Sequence, residues 1–181
     1  MKRDKSAKPN KNQKILVITL AGLLIAVDIV LERYLVIEVS NSSRYSLAFS
    51  ARAVSGAVLG PLVSGITGGL SDFIGAVLKF GSPIFPLCFT AVLRGALYGI
   101  FLYKKCTVNR IVFCTLSVEL GCSMLLNSIV LYSYYGTPLE VLLLTRGLQA
   151  IIMIALQIPV LILMKKYLFP QLKRILFQYK Y

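Results

Sequence analysis

An all-α integral membrane protein of six transmembrane helices, with the N- and C-termini both cytoplasmic, is the fold class that this sequence predicts. Three observations carry the prediction. Hydrophobic residues make up 57% of the 181, and only 15% are charged, against about 25% in soluble domains. Apolar runs long enough for a membrane helix, roughly 18 residues or more, recur along the chain. The basic residues gather at the edges of those runs, which is how the positive-inside rule marks cytoplasmic flanks.

The chain opens on "MKRDKSAKPNKNQK", residues 1–14, which hold six of the twenty Lys and Arg. This reads as a basic cytoplasmic tail. The first apolar run, about 15–37, is too long for the h-region of a signal peptide and has no small-residue cleavage site after it, so it is the first membrane helix. The others fall at about 46–60, 62–79, 84–103, 110–133 and 139–164. Gly60-Pro61, Gly81 to Pro83, and Tyr134 to Pro138 divide neighbouring runs, as turn-forming residues do. Together 15–164 form one membrane domain, and 165–181 form a second basic tail with five Lys and Arg. Lys104, Lys105 and Arg110 flank an internal loop that an even number of crossings places on the same side as both tails.

Several functions are excluded or disfavoured. The net charge of +13 belongs to membrane flanks, so no nucleic acid is expected as a partner. Membrane lipid is the expected surrounding. The chain has no His, which rules out histidine-based triads and makes zinc sites improbable. Its four Cys show no paired spacing and read as small buried residues. No G-x-x-x-x-G-K-[ST] phosphate loop is present, so uphill transport needs a partner's ATPase. No cofactor or metal is expected, and no enzymatic activity.

Six basic residues stand outside the cytoplasmic clusters: Arg33, Arg44, Arg52, Lys79, Arg94 and Arg146. An arginine within a bilayer faces a partner or a water-filled cavity. Asp28, Glu32 and Asp72 are available as partners, and pairing that merely fixes helix packing is one reading of any single arginine. The set as a whole points to an anion pocket, because Arg grips carboxylates bidentately. Phe80 and Phe85 flank a turn able to hold rings over a flat ligand. Asn127, an amide in an apolar helix, offers a donor and an acceptor either to a heterocycle or to a neighbouring helix. Gly22 and Ala26 form a small-xxx-small pair, a face that packs closely against another helix of this chain or of a partner.

The stretches "LERYLVIEVS", "RYSLAF", "GPLVSGITGGLSDFIGAVL", "FPLCFTAVLRGALYGIFLY" and "LLNSIVLYSYYG", followed by Arg146, resemble the substrate-binding (S) components of energy-coupling factor (ECF) vitamin transporters, specifically the folate type. The resemblance runs from about residue 31 to 146. It implies a bacterial plasma-membrane subunit that captures folate or a close derivative at the extracellular face. It also implies docking on a transmembrane coupling (T) subunit driven by two ATPase subunits. By the same resemblance Arg33, Arg44, Phe80, Phe85, Asn127, Tyr132 and Arg146 contact the ligand, Glu32 orients Arg33 or Arg44, and Gly22 and Ala26 dock. The second helix departs from the family pattern at Arg52, and "KFGSPIFP" departs from it after the third. The competing readings are an S component for another vitamin or anionic metabolite, a membrane enzyme acting on lipid-linked phosphate, and a structural subunit without a ligand. Convergence of Arg33, Arg44, Arg94 and Arg146 on one cavity, or their separate pairing with acidic residues, would discriminate among these.

Overall fold

The computed structural model describes residues 11–40, 43–81, 83–103, 106–136 and 138–178. Most of the first tail, the Lys104-Lys105 pair and the last three residues therefore lie outside the described residues. The chain runs up and down as six apolar rods. The first is α1 (Lys11–Ile29), whose sequence is apolar all round and which continues into a wider π turn (Val30–Tyr34). The Leu35 N–H closes that turn on the Val30 carbonyl at 3.0 Å.

Sequence reading carries the first helix to residue 37, but the helix stops at Tyr34. Two strands follow, β1 (Val36–Ser40) and β2 (Ser43–Ser46), paired antiparallel with Glu38 opposite Arg44 and a register shift between Glu38 and Ser40. β-Branched Val36, Ile37 and Val39 favour this extended conformation. The hairpin marks one end of the bundle and touches the last helix, α7 (Leu139–Gln178), there.

Helix α2 (Ala48–Leu59) is the shortest rod and is buried along nearly its whole length, being built largely of Ala, Ser, Gly and Val. Its 12 residues span about 18 Å, less than the ~30 Å of hydrocarbon. It therefore occupies the interior without crossing the bilayer alone. At its end Gly60 adopts φ +90° and hands the chain to Pro61, the first residue of α3 (Pro61–Phe80). Proline suits that position because its missing N–H would be unsatisfied anyway.

The most extensive packing in the bundle joins α3 to α4 (Phe85–Leu102). Glycines bring their backbones together: a Cβ at Gly95 would fall on the Ser64 carbonyl, and one at Gly99 on the Pro61 backbone. The fifth rod is continuous through α5 (Val108–Leu116), a π segment (Ser117–Leu126) and α6 (Asn127–Tyr135). The last rod, α7 (Leu139–Gln178), is 40 residues long, or about 60 Å. It continues as helix through most of the region read as the second tail. Among the described residues, five rods are long and apolar enough to cross a membrane, and α2 is shorter. Leu24, Phe49, Val54, Tyr98, Leu102, Ile111, Leu161 and Phe169 form the common core. Exposed Leu62, Leu78, Phe113 and Leu144 face outward, the surface that lipid covers.

Candidate ligand site

Two polar systems run through the apolar bundle. The first ties α1, α2 and α3 together. Asp28 and Glu32 are four residues apart and share one face of the first rod. Between them lies Arg52 of α2, only 6% exposed. Its Nε donates to Asp28 Oδ2 at 3.1 Å and its Nη2 donates to Glu32. The Ser71 hydroxyl of α3 also donates to Asp28. One turn further along, Arg33 Nη2 donates to Asp72 Oδ1 at 2.9 Å and to the Asp72 carbonyl at 3.2 Å. Gly75 makes room for that arginine, since a Cβ there would stand 2.8 Å from Arg33 Nε. Arg33 and Arg52 are thus held by carboxylates from other helices, the arrangement expected of buried charges.

The second system is a seam joining α4, the fifth rod and α7. Helix α4 presents Thr90, Arg94 and Tyr98 at four-residue intervals, on one face and about 6 Å apart along the axis. On the fifth rod Glu119, Ser123 and Asn127 have the same spacing. At the level nearest the hairpin end the Thr90 hydroxyl donates to Asn127 Oδ1 at 2.7 Å. At the deepest level Tyr98 Oη donates to Gln157 Oε1 at 3.1 Å, and Gln157 Nε2 donates to Glu119 Oε1 at 2.5 Å. Arg146 of α7 donates from Nη1 to the Ser123 carbonyl at 3.2 Å.

Arg94 lies between these bonded levels. It makes no hydrogen bond or ion pair among the described residues, and its Nε is sealed from solvent with no acceptor. Its charge interacts at longer range with Glu32 and Glu119. Both carboxylates already have donors, Arg52 for Glu32 and Gln157 for Glu119. An uncompensated arginine in a membrane interior costs about 2.5–3.5 kcal/mol on insertion scales.

The residues expected from sequence to contact a ligand divide accordingly. Asn127 and Arg146 belong to the seam. Arg33 belongs to the α1–α3 ion pairs. Tyr132, half exposed, lies toward the hairpin end of α6. Phe85 opens α4 and is 71% exposed, its ring centroid 6.4 Å from that of Phe73. Arg44 is placed in β2 and Phe80 ends α3, but their side chains lie outside the described residues. Glu32, which the resemblance would set to orienting Arg33 or Arg44, accepts from Arg52, one of the arginines for which it was available as a partner. Gly22 and Ala26 are exposed on α1, and nothing stands within 4 Å of a Cβ built at Gly22. Sequence reading also passed over Thr90, Tyr98, Glu119 and Gln157. The signal that would have found most of the seam is polar residues recurring every fourth position within apolar helices.

Comparison with known proteins agrees with this architecture. The family model described as "ECF-type riboflavin transporter, S component" matches residues 12–168. The folate transporter FolT of Clostridium novyi (strain NT) is 30% identical over 143 residues, which cover 78% of this chain and 83% of FolT. The crystal structure of FolT bound with folic acid has the same fold, with a TM-score of 0.75 and 28% identity. That likeness covers 80% of this chain and 89% of the other. The match over most of the chain and the membrane-length helices together show a multi-pass bacterial cell-membrane protein. It belongs to the S-component family of ECF-type transporters, whose members are transport subunits and not enzymes.

Proposed function

We propose that this chain captures folate, or a close derivative, at the hairpin end of the bundle and delivers it for uptake. That end faces the outside, and both termini lie in the cytoplasm. The likeness in fold and sequence to FolT bound with folic acid carries the reading. The chemistry of the seam supports it. Folic acid joins a flat heterocycle to a glutamate bearing two carboxylates, and the seam offers an amide at Asn127 and guanidinium groups at Arg94 and Arg146. Riboflavin, for which the matching family model is named, has no carboxylate to offer a guanidinium. The orientation rests on the basic clusters. Arg110, Lys165 and Lys166 lie at the end opposite the hairpin, where the positive-inside rule expects cytoplasm. Transport is powered by a coupling T subunit and two ATPase subunits, with Gly22 and Ala26 on the open face of α1 as the docking surface.

Calorimetric titration of the purified protein with folic acid and with riboflavin tests this reading. Nanomolar binding of folic acid is expected, weakened tenfold or more in Arg146→Ala, with no binding of riboflavin. Tight binding of riboflavin and none of folic acid would overturn it.

A further inference from the structure

We infer that Arg94 is the deep specificity-determining residue of the site, reading a pair of adjacent acceptor atoms on the buried heterocyclic ring. The inference rests on the folate reading above. Its first support is the gap in the seam. Thr90 and Tyr98, one turn to either side of Arg94, are both hydrogen-bonded across the bundle, whereas Arg94 has no such bond among the described residues. The carboxylates that feel its charge are bonded to other donors. A planar fork of N–H donors is therefore left for an acceptor that the chain does not supply.

Depth selects the acceptor. Arg94 lies nine residues into α4 from the hairpin end, about 14 Å along the axis and near the middle of ~30 Å of hydrocarbon. Taking two carboxylates that far from water costs much more than burying an uncharged ring. Arg146 lies seven residues into α7, about 10 Å from the same end, and is the nearer guanidinium for the glutamate. The ligand thus enters ring first. The 4-oxo oxygen and N5 of its pteridine lie side by side like O6 and N7 of guanine. That edge is the commonest bidentate target of arginine in nucleic-acid recognition.

The test is a set of titrations of wild type, Arg94→Gln and Arg94→Lys, each with three probes. The probes are folic acid, its 4-amino analogue, in which the acceptor oxygen becomes a donor, and pteroic acid, which lacks the glutamate. The thermal midpoint of each variant in detergent is measured alongside. Wild type is expected to prefer folic acid over the 4-amino analogue by tenfold or more. Arg94→Gln should erase that preference while weakening folic acid and pteroic acid alike. Arg94→Lys, which keeps the charge but not the fork, should hold the wild-type midpoint and still lose the preference. Loss confined to the two glutamate-bearing probes would overturn the inference, because Arg94 would then hold the carboxylates. Equal loss for all three probes with a lowered midpoint would also overturn it, leaving Arg94 a structural charge. If wild type binds none of the probes, the folate reading itself fails and this inference falls with it.

Discussion

At the scale of single residues, the membrane-embedded arginines have different work despite their similar appearance in the sequence. Arg52 neutralises two carboxylates in the interior. Replacing it with Met leaves Asp28 and Glu32 buried without their cation, a loss of about 3–5 kcal/mol for a broken buried pair. Thermal melting in detergent should therefore show Arg52→Met well below wild type, and below Arg33→Met, which breaks the ion pair to Asp72. Equal midpoints for the two variants would argue against Arg52 as the central cation. The arginines were legible in sequence as groups needing a partner or a cavity. Which of the two each one meets was not. The partners come from other helices, 24 residues away for Arg52 and Asp28 and 39 for Arg33 and Asp72, and helical periodicity does not carry that distance. Asn127 was legible as a polar group in an apolar helix. Its bond to Thr90 depends on how α4 and α6 cross.

At the scale of elements, glycine positions separate packing inside the chain from surfaces left open. A Cβ at Gly99 would fall on the Pro61 backbone, where no flexible side chain can give way, while Gly22 has nothing within reach. Gly99→Ala should destabilise the protein by about 1–3 kcal/mol through overpacking, seen as a lowered thermal midpoint. Gly22→Leu should leave the midpoint and ligand affinity unchanged but abolish co-purification with the proposed coupling subunit. A Gly22→Leu protein that still assembles would remove α1 as the docking face. The small-residue stripes were visible in sequence, but periodicity did not tell an inward stripe from an outward one. The hairpin was missed because Leu35, Val36 and Ile37 extend the apolar run, so hydropathy carried the helix past Tyr34.

At the scale of the whole molecule, the sequence shows both the class and the number of rods, because hydrocarbon thickness imposes length and composition directly. The length of α7 exceeds that requirement, and its helix runs on into the basic region at Lys165 and Lys166. A bundle with its hairpin and polar seam toward one end and Arg110, Lys165 and Lys166 at the other is asymmetric across the membrane, and the proposed capture of folate depends on that asymmetry. The most direct test is binding of labelled folic acid to sealed vesicles of known sidedness containing this protein without its partners. Saturable binding to right-side-out vesicles, absent from inside-out ones, is the expected result. Binding confined to inside-out vesicles would place the mouth in the cytoplasm and contradict the account.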